Sequence, residues 1–282
     1  MKTLNELAAL NDKSLLDRYS VRINAMQSGL AEEDLQVILS GDILPKTIYL
    51  PKVDSKKDLD HFVEHLQEEL VKRSKAKAAK KDPKQKEEDK KKAKAEAKDS
   101  EEDEPIDLVI FVESAHGLLD LRDICKHAIE VSEYTSIRLA GIVFGSDDFC
   151  ANIGATRTDA GKEVLLARQK VVIVAKAYDL QAIDTVFIDY KNLDELQKQA
   201  TEGASMGFTG KQAIHPTQVP VIQAAFSPSA DRIDWAKGLV EGFEAAQKDG
   251  KGAFVYRGQM IDMPLLKQAY NILTIAKSIG KA

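Results

Sequence analysis

Outside its first residues and one charged tract, the chain repeats a single phrase: a short apolar, β-branched run, then a longer segment of helical period. The runs are YSVRIN (19 to 24), TIYLPKV (47 to 53), LVIFVES (108 to 114), AGIVFGS (140 to 146), TVFID (185 to 189) and GFTGKQAIH (207 to 215). Near-continuous apolarity, instead of strict alternation, means burial on both faces, which is the mark of parallel strands joined by helical crossovers. With the charged tract set aside, the runs recur about every 30 residues, the length of a βα unit. No Gly-rich dinucleotide fingerprint follows a strand. The pattern therefore predicts an α/β chain of the (β/α) TIM-barrel type, with six of the eight strands that closure needs.

After residue 216 the pattern is wholly helical. Ser227-Pro228-Ser229 is placed to cap a helix through RIDWAKGLVEGFEAAQ that stops at Gly250. A last helix follows Met263-Pro264, with Leu265, Leu266, Ala269, Ile272, Leu273, Ala276 and Ile279 along one face. The expected organisation is thus an incomplete barrel over 1–226 and a C-terminal helical extension over 227–282.

Composition changes this picture in one place. Residues 72–104 hold 13 of the 40 basic and 10 of the 45 acidic side chains, six alanines, and none of Leu, Ile, Val, Phe, Tyr, Trp or Met. Such a tract cannot bury enough apolar surface to offset the entropy of ordering it, so it reads as a disordered, solvated insertion in the barrel. What remains is acidic, a poor match for a phosphate backbone, and nucleic acid is not expected as a partner. No run approaches the roughly 18 apolar residues of a membrane helix, and the first 20 residues carry balanced charge, so neither a span nor a signal or transit peptide is expected. Cys125 and Cys150 lack any pairing framework and read as core thiols of a reducing compartment.

In a (β/α) barrel the reacting groups stand at the carboxyl ends of the strands. LVIFV ends on Glu113, and GIVFG runs into Ser146, Asp147 and Asp148 one βα unit later. Two carboxylates beside open space suit Mg²⁺, a hard cation that takes one or two protein carboxylates and leaves its other positions to water and substrate. The alternative is that each acid caps the helix that follows it. Arg22 closes YSVRIN on the same rim and is suited to a substrate carboxylate or phosphate, or equally to an ordinary ion pair. Asp262, ahead of Met263-Pro264, reads first as an N-cap.

Other motif matches fail on context. His61 to His65 (HFVEH) fits the inverted zinc-protease pattern but lies on a charged helix leading into the tract. Gly203 to Gly207 fits G-x-S-x-G, yet helix precedes strand there, the reverse of a nucleophile elbow. GATRTDAGK, 154 to 162, has the wrong spacing for a phosphate loop and is followed by Glu163 instead of Ser or Thr. His116, His127 and His215 have no partners at ligand spacing.

FVESAHGLLDLRDIC, VFGSDDFCANIGATRT, LARQKVVIVAKAYDLQAIDTVFIDY, EGASMGFTGKQAIHP and GQMIDMPLLKQA together resemble the citrate lyase β-subunit-like family, over residues 19–71 and 105–282. The resemblance implies a magnesium-dependent carbon–carbon lyase whose acyl-CoA substrate, for example citramalyl-CoA, yields acetyl-CoA and a 2-oxo acid. Malyl-CoA cleavage, or synthase-type use of the same site in reverse, is implied as a side activity. It further implies that Glu113 and Asp148 hold Mg²⁺, that Asp147 makes no direct metal bond, and that Arg22 binds the substrate carboxylate. Asp262 would be delivered by a neighbouring subunit of a homo-oligomer, a trimer, and act in proton transfer at the acetyl carbon. A mitochondrial address is implied as well, with the cytoplasm as the alternative. Relatives begin with two further strands, so a catalytically impaired isoform serving as an assembly partner is the competing expectation.

Overall fold

The computed structural model describes residues 19–41, 43–80, 104–248 and 254–281. Six strands, β1 (Ser20–Arg22), β2 (Thr47–Leu50), β3 (Ile106–Val112), β4 (Ile137–Phe144), β5 (Gln181–Asp184) and β6 (Gly210–Lys211), form one sheet in the order of the sequence. Every neighbouring pair is parallel. Between strands run α1 (Ala31–Leu39), α2 (Lys56–Lys80), α3 (Ala115–Ser132), α4 (Ser146–Ile153), α5 (Leu165–Ala177) and α6 (Leu193–Met206). Each strand is thus followed by helix before its parallel neighbour, the repeat of a curled, singly wound βα sheet.

The central strands show why the sequence settles here. In β3, Leu108, Ile110 and Val112 are fully buried on one face, while Val109 and Phe111 join Val143 in an apolar cluster on the other, flanked by Tyr49, Ala140 and Ile183. Each such burial is worth about 1.5–3 kcal/mol before entropy is counted, and a polar residue on either face would lose it. The β3–β4 pairing slips by one residue between Leu108 and Val109, so that Ala140 is the extra residue of β4. Beyond the slip Val112 pairs with Phe144, which leaves Glu113 beside Gly145 at the sheet's carboxyl edge.

The fifth strand is displaced from its expected position. It runs over Gln181–Asp184 instead of 185–189, because Asp184 ends it as a fully buried carboxylate. Arg168 on α5 grips Asp184 with two bonds (Nε–Oδ1 3.0 Å, Nη2–Oδ2 2.7 Å), and the Thr185 amide donates a third at 2.8 Å. Lys211 donates to the Thr185 hydroxyl at 3.1 Å, and Phe187 packs with Leu196 and Ile222. Of the apolar run TVFI, expected as strand, Phe187 is buried in this contact while Ile188 is 64% exposed. Residues 72–80 of the charged tract, expected to be disordered, are the last turns of α2, and 81–103 lie outside the described residues.

Contacts divide the chain into two units: residues up to Val186 with Met206–Gln212, and Phe187–Ser205 with the residues from Ala213 onward. The division does not fall at the expected residue 226, since Phe187, Leu193 and Leu196 pack with Val221, Ile222 and Phe226 of α7 (Gln218–Phe226). In the second unit α8 (Ala230–Lys248) packs against α9 (Met263–Ser278), and the Ser229 hydroxyl accepts from the Arg232 amide near the start of α8. Ala236, Leu239 and Val240 meet Leu266 and Ala269, with Leu265, Ile272 and Leu273 around them; Ala276 is also fully buried, but Ile279 is exposed.

The expectation of a purely helical C-terminal region is corrected by an antiparallel hairpin, β7 (Phe254–Tyr256) and β8 (Gln259–Ile261). Its two-residue turn, Arg257 (φ 48°) and Gly258 (φ 80°), places both residues in the left-handed region that such a hairpin requires. Three-residue strands are too short for periodicity to reveal. Both cysteines are buried and unpaired, and burial pushes the Cys125 thiol up to about 12, which keeps it inert.

Candidate active site

Four chain segments deliver charged groups to the carboxyl edge of the sheet. Arg22 is the last residue of β1, Lys52 lies two residues past β2, Glu113 immediately follows β3, and Asp148 sits in the first turn of α4 after β4. Lys52 ties the two acids together: its amide donates to Glu113 Oε2 at 2.9 Å, and its ammonium donates to Asp148 Oδ1 at 3.1 Å. The backbone of Lys52 is left-handed, φ 53°, a conformation that costs a non-glycine residue on the order of 1–3 kcal/mol. Lys52, Asp54, Glu113, Ser114, Asp148 and Asn152 line a cavity of about 220 Å³.

The helix-cap alternative does not hold for either acid. Ser114, not Glu113, caps α3, its hydroxyl accepting from the Gly117 amide at 2.9 Å while donating to Asp54. Gly145 occupies the N-cap position of α4, which has no side-chain cap, and Asp148 meets Lys52 instead. Asp147 turns to Arg157 (Oδ1–Nε 3.4 Å), away from its neighbour's partner.

Electrostatics follow from this placement. Glu113 is only 6% exposed, and burial raises its carboxyl above the ordinary range; the charge of Asp148 adds to the rise, while the Lys52 amide, Arg22 and the Lys52 ammonium oppose it. The hydrogen bond and charge of Asp148 raise Lys52 in turn. A buried carboxylate in a cavity that also holds the side-chain oxygens of Asp54, Ser114, Asp148 and Asn152 is a donor set for a hard divalent cation. Gly145 supplies a second indication of fit. A Cβ there would stand 2.5 Å from Glu113 Cγ and 2.8 Å from its Oε1, so only glycine leaves the carboxylate its room.

That yields a direct test. Gly145 has φ −88° and ψ 82°, open to alanine, so Gly145→Ala adds crowding without backbone strain. The variant is expected to lose about 1–3 kcal/mol of stability and to bind magnesium at least about tenfold more weakly as Glu113 is displaced. Thermal denaturation with and without Mg²⁺ measures both, and an unchanged magnesium response would show that Gly145 does not make room for Glu113.

Arg22 faces a larger hollow of about 600 Å³, lined also by Asn24, Gln27, Ser28, Pro51 and Lys52. Its guanidinium lies over the Phe111 ring, 4.9 Å from the centroid, and Tyr49 meets the same ring edge-on at 6.1 Å. Arg22 makes no ion pair with a described residue, so the expectation of an ordinary ion pair is replaced by an aromatic seat that keeps the cation available for an anion. Asp262 belongs to the second unit. The hairpin leads into it, and its Oδ1 accepts from the Leu265 amide at 3.0 Å as the N-cap of α9, with Pro264 in the first turn.

Arg22, Glu113 and Asp148, named from the sequence, stand at this one edge of the sheet, and the fold adds Lys52 and Gly145 beside them. Lys52 lies in the run TIYLPKV that apolarity marks as strand, and the ladder ends before it at Leu50, next to Pro51. Gly145 carried a signal in principle, a glycine between a buried strand and two acids.

A parallel βα sheet with carboxylates and cations gathered at its carboxyl edge has the arrangement of an α/β enzyme, whose sites lie at that edge. The model of the HpcH/HpaI aldolase/citrate lyase family matches residues 1–216. The chain belongs to that family, and with it to the carbon–carbon lyases. It is 42% identical over 259 residues to the mitochondrial citramalyl-CoA lyase of Homo sapiens, covering 92% of this chain and 68% of that protein. It is 28% identical to citrate lyase subunit beta of Escherichia coli strain K12, covering 92% and 74%. Among solved structures it is similar to the protein CitE from Mycobacterium tuberculosis in complex with magnesium, acetoacetate and coenzyme A. That likeness has a TM-score of 0.64 and 25% identity, over 93% of this chain and 79% of the other.

Proposed function

We propose that the protein is a magnesium-dependent acyl-CoA lyase that cleaves citramalyl-CoA to acetyl-CoA and pyruvate. The observation that carries this reading is the joining of Glu113 and Asp148 through Lys52, in a chain 42% identical to a citramalyl-CoA lyase. Glu113 and Asp148 would hold Mg²⁺, which when bound supplies positive charge against the negative charge that develops on substrate oxygen. Arg22, with Lys52 beside the same hollow, binds the substrate carboxylate and fixes its orientation. In the cleavage the hydroxyl proton passes to water, the carbinol oxygen becomes the keto oxygen of pyruvate, and the bond to the acetyl carbon breaks with its electron pair passing into the thioester as an enolate. Asp262 then donates a proton to that carbon. Its Oδ1 accepts from the Leu265 amide, so Oδ2 is the oxygen through which the transfer would run.

The second unit supports a supply of Asp262 between subunits. Asp262 is exposed and lies between Met260 (71% exposed) and Met263 (65%), an apolar setting suited to a neighbour. We take the assembly to be a homo-oligomer, a trimer, located in mitochondria as the human relative is. The parallel sheet is read as part of a (β/α) barrel, with the helical unit as its extension. The test is release of acetyl-CoA and pyruvate from citramalyl-CoA, with Mg²⁺ and after chelation. Magnesium-dependent release is expected; absence of cleavage under all these conditions would overturn the proposal and favour the assembly-partner reading.

A further inference from the structure

The motif His61 to His65 lacks the context of a protease signature, but the fold gives it a third member. His61 and His65 stand one turn apart on α2, and Glu32 reaches them from the first turn of α1. Among the described residues these three are the group of His, Cys, Asp and Glu side chains whose ligand atoms all lie within 4.8 Å of one another. We propose that Glu32, His61 and His65 form a site for a zinc-class divalent transition-metal ion.

Geometry favours an ion over a plain ion pair. The Nε2 atoms of His65 and His61 approach the same oxygen, Glu32 Oε1, at 3.2 and 3.5 Å. Ligands on a tetrahedral zinc with bonds of about 2.0–2.1 Å lie roughly 3.3 Å apart, and the two separations bracket that spacing. A charge-assisted N–H···O bond would be shorter, about 2.7–2.9 Å. The other ring nitrogen of His65 is already committed, with Nδ1 2.9 Å from the carbonyl oxygen of His61. A carbonyl can only accept, so Nδ1 donates there, the second bond by which metal-binding histidines are held in orientation, and Nε2 is the nitrogen turned to Glu32. Nε2 of His65 therefore faces the Glu32 carboxylate at a spacing that fits a cation held between the two atoms.

Both helices that carry the ligands are anchored in the core. Phe62, Val63 and Leu66, on the opposite side of the same turns of α2, are buried, and Leu35 anchors α1. All three ligands are partly exposed, with side-chain exposures of 55%, 45% and 26% for Glu32, His61 and His65, so an ion enters without rearrangement and keeps water in its remaining position. Two imidazoles and one carboxylate select zinc, copper or nickel over magnesium, whereas the oxygen set at Glu113 and Asp148 has the opposite preference. The site would clamp α1 to α2.

The test titrates the full chain, kept in saturating Mg²⁺ to occupy hard oxygen sites, with Zn²⁺ by calorimetry and with Co²⁺ by visible absorption. One ion per chain is expected, together with the absorption of tetrahedral cobalt. His61→Ala, His65→Ala and Glu32→Gln should each weaken binding about tenfold or more, while Glu64→Gln, exposed on the same helix, should bind as the parent does. Circular dichroism confirms that the variants are folded. Binding unaffected in either histidine variant, or no binding to the parent in the micromolar range, would overturn the assignment.

Discussion

Glu113→Gln is expected to leave the protein folded and to abolish its response to magnesium. The substitution keeps the oxygen that accepts from the Lys52 amide at 2.9 Å and removes only charge. The sign of the stability change follows from the raised carboxyl. Because burial holds Glu113 above the ordinary carboxylate range, the folded protein binds that proton more tightly than the unfolded chain. Its ionisation therefore costs stability progressively as pH climbs from the ordinary carboxylate range through the raised value, and costs nothing below that range. At neutral pH the metal-free variant is thus expected to be at least as stable as the metal-free parent. Magnesium reverses the order. In the parent, an ion at a hundred times its Kd adds about 2.7 kcal/mol, a rise of roughly 5–10 °C in Tm for a chain of this size; in the variant the rise should vanish. Loss of the ion's electrostatic contribution, several kcal/mol, predicts a fall in turnover on the order of 10²–10³-fold or more. Differential scanning calorimetry with and without Mg²⁺ makes the measurement, and a variant that still gains the parent's shift would remove Glu113 from the ligand set.

What the sequence disclosed, and what it withheld, follows from the range of each interaction. Five of the six expected runs overlap their strands, because burial on both faces leaves a local record in the residues themselves. Glu113 and Asp148 were legible for the same reason: a polar residue ending a buried strand stands out, and parallel topology brings successive strand ends together. The cap alternative for these acids was closed only by seeing that Ser114 accepts from Gly117 and that Asp148 meets Lys52. Lys52 itself was hidden, since its role depends on a left-handed backbone and on a carboxylate 61 residues away. The fifth strand failed in the opposite direction. TVFI is as apolar as a strand, and only the buried pair of Arg168 with Asp184 explains why the ladder stops before it. The Glu32, His61 and His65 cluster shows the same limit. HFVEH is visible as a helical pair, but the carboxylate that completes it comes from a different helix.

The second large effect is expected from Asp262→Asn, which separates two roles that one carboxylate can hold. As N-cap of α9, Asp262 accepts from the Leu265 amide at 3.0 Å, and asparagine caps helices about as well as aspartate. Capping should therefore survive, and with it the packing of Leu266 and Ala269 against Ala236, Leu239 and Val240 that holds the helical pair together. Thermal stability is expected to stay within about 0.5 kcal/mol of the parent, as for an exposed substitution that keeps its hydrogen bond. Proton delivery does not survive, because an amide has no acidic proton to give. General acid catalysis typically contributes 10²–10⁴-fold, and turnover of citramalyl-CoA should fall by that order. Since Asp262 is assigned to proton transfer and not to substrate affinity, the loss should fall on kcat, leaving KM near the parent value. Asp262→Ala supplies the contrast: it should lose turnover to the same extent and also about 1 kcal/mol of stability with the cap. Steady-state kinetics and melting curves on the two variants decide the matter. Parent-like turnover in Asp262→Asn would return this residue to a purely structural role, whereas equal losses of turnover with stability lost only in the alanine variant would place the cap and the acid on one side chain.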